Sequence, residues 1–480
     1  MPKVSAPRAS NSAMPHRNVP SVWLAIGVLG VAALSGGCSA TGVAGRTTIH
    51  DHRDGLPTGA RRLFDEGLAS FAQHDRDRSW TVVSCAQVAD KFIAAEAKIE
   101  AETHKRWHQA RYNAGVAMQR CADHASARKL FAGILAEDPM ADEARVQLAR
   151  MELAESKGRG LDKAISEFFR AVLDSDYQNV EALVELARAQ MARDGKTADS
   201  DGADDLSRAS KNLRRALAVD DQYMPAANQL AIFYLVSAKK RAGVSSIAFS
   251  RASASEAARV EGQALDMALL VASQAATKAP SYAPIHNTLG VIATMQQNLT
   301  AAAKSFDSAR KLDPGFFEAH MNYASVNLAF RGFDEAEQGY RTALRVRPDD
   351  YEAMLGLALA LRARGDGARQ EQSLKEAEAL LLKAKKLEDT RPEAYFNLAV
   401  LAEEYGGMAG DTGTAPYLRA RALYQDFVKR AAGRADLNGD VDDVVAKPKK
   451  PDNECMGPAA KQDKDCKRGR LFDIATIVGD

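Results

Sequence analysis

Three places in the chain carry the spacing S-x-x-K, in which a lysine can activate a serine nucleophile: Ser126 to Lys129, Ser237 to Lys240 and Ser308 to Lys311. Neither S-D-N nor K-T-G, which complete such a site, is present, so the three copies read as coincidence. His104 and His108 stand four apart, as two metal ligands on one helix face would, yet no third ligand accompanies them. Asp436, Asn438, Asp440 and Asp442 alternate like the opening of a calcium loop. Val441 replaces the turn glycine, however, and Lys447 the closing glutamate, so the segment reads as a flexible acidic linker. There is no P-loop, no H-E-x-x-H, no C-x-x-C and no G-x-S-x-G. The residues thus point to no catalytic set, no metal, no cofactor and no small-molecule substrate.

Chemistry of another kind is expected at Cys38. Lys3, Arg8 and Arg17 precede an apolar run from Val22 to Leu34 with no acid before it, which is the layout of an export signal. The run is too short for a membrane-spanning helix, which takes about 20 residues. Leu34-Ser35-Gly36-Gly37-Cys38 resembles the lipobox of bacterial lipoproteins, with Ser35 where the family usually has its apolar residue. That resemblance implies cleavage after residue 37, diacylation of Cys38 and a lipid-anchored mature chain. Ser39, rather than an aspartate, follows the cysteine; by resemblance to enterobacterial lipoproteins this implies the outer membrane, facing the periplasm. Met14 is an alternative start that gives a signal of more usual length.

The elements that follow must be helical. The chain has 480 residues, 46% apolar and only 6% aromatic, and is rich in alanine, a composition suited to closely packed helices rather than to many short strands. Lys+Arg 64 against Asp+Glu 63, with no run of five basic residues, excludes nucleic acid as the main partner.

Pro280, Pro314 and Pro348 lie at a fixed interval, and Leu289-Gly290, Tyr323-Ala324 and Leu357-Ala358 repeat at the same interval. Within that period Ala302, Phe306 and Ala309 recur as Ala336, Tyr340 and Ala343. The order resembles the tetratricopeptide repeat, W-x2-L-G-x2-Y, then A-x3-F, then P. Ala114-Gly115 with Ala127, Phe131 and Pro139, and Leu148-Ala149 with Ala164, Phe168 and Ala171, make further copies. Looser ones contain Leu186-Ala187, Leu230-Ala231 and Leu398-Ala399, and a degenerate unit opens the series over 60–97. The resemblance implies an all-α, right-handed superhelical solenoid of helix-turn-helix repeats with a groove lined by first helices. The domain reading is a signal peptide over 1–37, a linker over 38–58, about eight to nine repeats over 59–431 and a flexible tail over 432–480. Insertions at 196–205 and 364–370 read as edge loops, and the serine-rich stretch 241–259 as an extra helix or a surface excursion. Leu471, Phe472, Ile474, Ile477 and Val478 form an apolar end suited to capping the last repeat.

Asn113, Asn322 and Asn397 stand one residue before the small-residue core of their units, and Gln147 and Gln229 stand there in two others. In tetratricopeptide proteins this position commonly faces the groove, so the resemblance implies amides that hold a peptide backbone. Arg150 and Arg188, three residues later, would add positive charge. Besides Cys38 there are four cysteines, which allow three pairings in an oxidising compartment. Cys85 with Cys121 joins helix ends that adjoin in antiparallel stacking, and Cys455 with Cys466 closes a short tail loop; the other reading is four free thiols. The whole resembles the tetratricopeptide lipoproteins of type IV pilus assembly, secretion and gliding motility, the myxobacterial gliding-motility group most of all. This implies a non-catalytic periplasmic scaffold for envelope proteins. The other readings are a regulatory subunit or enzyme of cell-wall metabolism and, if the signal is unused, a cytoplasmic adaptor.

Overall fold

The computed structural model describes residues 55–434 apart from 78, 157–158, 200, 248–250, 365–369 and 406–414, together with 437, 441 and 444. The signal, Cys38, Cys455, Cys466, most of the acidic run from Asp436 and the apolar end at 471–478 lie outside the described residues. Among the described residues there are eighteen helices, which hold 81% of them, and no strand. They succeed one another as antiparallel pairs: α1 (Thr58–Asp77) with α2 (Val82–Thr103), α3 (His108–Arg120) with α4 (His124–Glu137), α5 (Asp142–Glu155) with α6 (Leu161–Asp174). Next come α7 (Val180–Arg193) with α8 (Asp205–Val219), α9 (Met224–Ile247) with α10 (Arg251–Lys278) and α11 (Ala283–Met295) with α12 (Leu299–Leu312). The last three are α13 (Phe317–Ala329) with α14 (Phe333–Val346), α15 (Tyr351–Arg364) with α16 (Gln370–Leu387), and α17 (Glu393–Tyr405) with α18 (Ala415–Ala431). The chain divides into two compact units, one ending at Glu388 and one beginning at Asp389.

Local sequence sets the ends of these helices. Side chains that accept from an orphan N–H open several of them: Asp123 takes Ser126 N at 3.0 Å, Asn179 takes Ala182 N at 2.9 Å and Asn298 takes Ala301 N at 3.1 Å. Thr81 and Ser84 form a reciprocal capping box at the start of α2. The tight turns inside three pairs are made by left-handed residues that are not glycine: Ala122 (φ 57), Gln297 (φ 59) and Arg331 (φ 62). Pro139, Pro314 and Pro348 follow one or two residues after α4, α12 and α14, where the ring cannot continue a helix.

Within a pair, a glycine or alanine of the first helix lies beneath an aromatic ring of the second. A Cβ on Gly115 would come within 2.7 Å of the Phe131 ring, and one on Gly290 within 2.4 Å of the Phe306 ring. Phe64, Phe92, Phe131 and Phe168 are fully buried, each ring contributing roughly 1.5–3 kcal/mol of burial. Within the unit that ends at Glu388, pairs also pack on one another, so the apolar clusters run on: one spans Phe64 to Met151, another Val146 to Val236.

The insertions take different forms. Within the serine-rich stretch, residues 241–247 and 251–259 belong to the two helices of the pair, α9 with 24 residues and α10 with 28. Alanine is the best helix former, and it alternates with serine here. The connection between α7 and α8 is tied down by charge. Asp205, with a fully buried side chain, accepts from Arg193 at 2.7 and 2.8 Å, from Arg208 at 2.7 Å and from the Gly195 N–H at 2.7 Å. Burial works against its ionisation, but the two guanidiniums and the amide outweigh it and hold the carboxyl far below its ordinary range.

In the second unit, Phe396 packs edge-on against Tyr424 and Phe427, with ring centroids 5.9 and 5.1 Å apart. Val444 is buried against this cluster and Leu437 and Val441 lie partly buried on it. These three residues lie past the point at which the repeat pattern fades, within the tail expected from residue 432.

Candidate partner-binding face

Within the unit that ends at Glu388 the first helices of successive pairs lie side by side, and one position of the repeat faces the neighbouring helix. From α3 to α17 it holds Asn113, Gln147, Glu185, Gln229, Thr288, Asn322, Gly356 and Asn397 in turn. The structure buries the five amides expected in an open groove, at 0% for Asn113 and Gln147, 3% for Asn397 and 5% for Gln229 and Asn322. A polar group so enclosed must find its partners in the protein. Gln147 Nε2 donates to the Tyr112 hydroxyl and to Glu181, both at 3.1 Å. Asn322 Nδ2 donates to Asn287 at 2.9 Å, Asn397 Nδ2 to the Glu393 carbonyl at 2.9 Å, and Gln229 Nε2 to Met191 Sδ at 3.4 Å. These amides therefore engage neighbouring groups of the protein. A residue of the same kind one place earlier, Asn228, accepts from Thr288 Oγ1 at 2.7 Å and remains half-buried.

The arginines are also placed differently from the expectation. Arg150 of α5 reaches the next first helix, α7, with Nη1 at 2.7 Å from Glu181 and Nε at 3.7 Å from Glu185. Arg188 of α7 holds Glu185 at 3.1 Å. Neither guanidinium adds free positive charge. The physical reason is the first turn of each helix, which favours acids against its dipole: Asp142 and Glu143 open α5 and Glu181 opens α7. About two turns later Arg150 of one pair meets Glu181 of the next. Burial pulls the Arg150 guanidinium down, but Glu185 and Glu181 outweigh it and keep it charged. The Tyr112 phenol is pushed up by burial and then by Glu181. Glu143 is pushed up to about 7, by burial first, then by the charge of Asp142 and a side-chain hydrogen bond to it, and last by Glu181.

Over α5 and α7 the face therefore carries four carboxylates, Asp142, Glu143, Glu181 and Glu185, and two guanidiniums already bound to two of them. Half-buried Tyr223 and Tyr282, at the starts of α9 and α11, continue it. At the repeat position of Arg150 and Arg188, α9, α11 and α15 have Ile232, Val291 and Leu359, each half-buried. The face thus changes from charged to apolar along the array. Sequence reading missed Glu143, Glu181 and Glu185. The signal for Glu143 and Glu181 was a recurring acid at the second position of the first helix, seen again in Glu318 and Glu352.

The remaining candidates fall elsewhere. Cys85, in the first turn of α2, is joined by a disulfide to Cys121 at the end of α3, with Cα atoms 6.3 Å apart. His104 ends α2 in a left-handed cap and His108 begins α3, so the two do not share a helix. Among the described residues no group of three or more His, Cys, Asp or Glu side chains is arranged to hold a metal ion, and no helix is long and apolar enough to cross a membrane.

Comparison with known proteins bears on the fold. Residues 287–338 and 324–384 match the profile of the family described as Tetratricopeptide repeat. No curated protein matches. Among solved structures, a thermophilic tetratricopeptide protein of Thermus thermophilus is 25% identical, with a TM-score of 0.37 over 46% of this chain and 99% of its own. A MamA fragment of Desulfovibrio magneticus is 16% identical, with a TM-score of 0.30 over 41% and 97%. PilF of Pseudomonas aeruginosa is 17% identical, with a TM-score of 0.37 over 53% and 95%. The described residues form an all-α array of helix pairs, and the pairs within 287–384 match the tetratricopeptide profile. Repeats of this kind bind protein partners or peptides and are in general non-catalytic scaffolds.

Proposed function

We propose that the chain is a lipid-anchored scaffold of the bacterial outer membrane, facing the periplasm. Its tetratricopeptide array holds other envelope proteins in a multi-protein machine of the gliding-motility or pilus and secretion type. The observation that carries the reading is the face along α5, α7, α9 and α11, where charged, phenolic and apolar side chains stand partly open on consecutive first helices. Such a surface suits an extended peptide or a helix of a partner, laid across several repeats. Export is supported by the lipobox-like run ending at Cys38 and by the Cys85–Cys121 bridge, since disulfides persist in oxidising compartments. Two acyl chains hold a protein at a membrane almost permanently, at about 0.8 kcal/mol per buried CH₂.

The test is membrane fractionation and intact mass of the native protein beside a Cys38→Ala form, followed by crosslinking in whole cells. The reading expects a diacylated chain in the outer membrane with defined envelope proteins crosslinked to it, and release of the Cys38→Ala form. An unmodified chain in the cytoplasm would overturn the anchor and the compartment. A membrane-bound chain with no crosslinked protein would overturn the scaffold.

A further inference from the structure

At several joints between successive helix pairs a proline precedes the same position of the next first helix: Pro139 before Arg145, Pro280 before His286, Pro314 before His320 and Pro348 before Met354. Three of these side chains tie back to the proline carbonyl. Arg145 donates to Pro139 O, His286 Nε2 to Pro280 O at 2.8 Å and His320 Nε2 to Pro314 O at 3.0 Å. A carbonyl only accepts, so each imidazole carries its proton on Nε2. What surrounds the three ties differs. Arg145 is permanently charged and has anions beside it, Glu167 at 3.4 Å and Asp174 at 3.5 Å. His286 is half-buried, so part of its ring is open to solvent. His320 is only 4% exposed, and its Nδ1 is enclosed with no hydrogen-bond partner among the described residues.

The charges that act on the His320 ring are Arg310 of α12, Arg345 of α14 and Asp313 in the turn before α13. The one acid of α13, Glu318, is held by Arg347 at 2.7 Å, and Glu337 of α14 is held by Arg341 and Arg364. α11 has no Asp, Glu, Lys or Arg, and its one titratable group is His286. Burial pulls the His320 ring below its ordinary 6.5; Arg310 and Arg345 add to this, while the Pro314 bond and Asp313 oppose it.

We propose that His320 is a pH-sensitive latch between the α11–α12 and α13–α14 pairs: the neutral ring ties α13 to the end of α12, and a second ring proton, enclosed without an acceptor beside two guanidiniums, loosens the tie. Little else holds the joint at this point, where the apolar cluster is three alanines, Ala283, Ala309 and Ala319, with Phe316. The folded joint keeps the ring neutral to a lower pH than the unfolded chain does. It therefore binds fewer protons, and its stability falls as pH drops through 6.5 toward the lowered value. Arg145 stays charged over this range and Met354 has nothing to titrate, so the neighbouring joints of this kind do not respond in the same way. Acidification thus makes one joint of the array more pliant and leaves the others stiff. The latch acts whatever partner the array holds, so it stands apart from the scaffold reading.

The experiment is hydrogen exchange by mass spectrometry on the full chain at about pH 7.5 and about pH 5, corrected for the intrinsic rate at each pH. Circular dichroism confirms that each variant is folded. In the wild type, peptides from α12 and α13 are expected to lose about threefold or more in protection at the lower pH, relative to peptides from α15 and α16. His320→Gln keeps a neutral donor for the Pro314 carbonyl and should abolish this extra loss; His286→Gln should leave it in place. If the glutamine variant does not fold, His320→Met takes its place, since α15 carries methionine at the same position. An equal loss across these helices in the wild type would overturn the inference. So would an extra loss that persists without His320 or disappears in His286→Gln.

Discussion

Glu143→Gln offers a test of the electrostatics that does not depend on any partner. The carboxyl stands at about 7 against an ordinary 4.5, because of burial and then of Asp142 and Glu181. For an acid raised in the folded state the penalty is absent below the ordinary value and complete above the raised one. Stability is therefore lost as pH climbs from 4.5 to about 7. The gap corresponds to roughly 3 kcal/mol for a fully enclosed group. Glu143 is only half-buried, and solvent screening reduces the gain on removing its charge to about 1–2 kcal/mol. Glutamine keeps the shape and the hydrogen-bonding reach, so the variant should be more stable than the wild type by that amount at pH 8. The gain should shrink to a few tenths of a kcal/mol near pH 5, where the folded wild type already holds the proton. Urea unfolding followed by circular dichroism at the two pH values reads both numbers. A variant less stable than the wild type at pH 8, or a gain of the same size at both pH values, would refute the reasoning. Arg150 reaches Glu181 from the same helix as Glu143, so Glu181→Gln is expected to destabilise the chain instead.

Other perturbations separate the parts of the fold. Asp205→Ala leaves the nearly buried Arg208 and the Arg193 fork without their shared anion, and should cost about 3–5 kcal/mol in unfolding free energy. Gly290→Val forces the Phe306 ring to move from a space a Cβ already overfills; a loss of about 1–3 kcal/mol by the same melts is expected, and more if the pair separates. Gln297→Gly relieves a left-handed residue in the turn between α11 and α12 and should gain about 0.5–1 kcal/mol in the same melts. Reduction of Cys85–Cys121, or Cys121→Ser, should lower the stability of the first two pairs by about 3–4 kcal/mol while leaving α17 and α18 unaffected, as hydrogen exchange by mass spectrometry would register.

The helix pairs were legible because their core is periodic: Phe131, Phe168, Phe306 and Tyr340 each stand four residues after a buried alanine, and each is buried in its pair. What surrounds the core was less so. The position of Asn113 and Gln147 is constant in sequence, but whether an amide there meets solvent depends on how tightly consecutive first helices approach, which is a property of two units. Arg150 and Glu181 lie 31 residues apart in sequence, and only the stacking makes them a pair. Their charges read in isolation gave the wrong sign for the face. Residues 241–259 looked like a surface insertion because Ser and Ala carry little hydropathy, although the same residues suit long helices. Leu437, Val441 and Val444 have helical spacing that the Asp-rich stretch around them obscured.

The Cys85–Cys121 bridge also fixes how the chain bears a pull. Tension travelling along the backbone from the N-terminal side reaches Cys85, crosses the sulfur bond and leaves at Cys121, so the intervening segment carries none of it. That segment holds most of α2 and all of α3, and its 36-residue span would otherwise release about 120 Å of slack when unravelled. With the bridge closed, that length is not available: the α1 end of the array behaves as a short, stiff link, and any extension under load has to come from outside the loop. Reducing the bond converts the same stretch into a reserve of length.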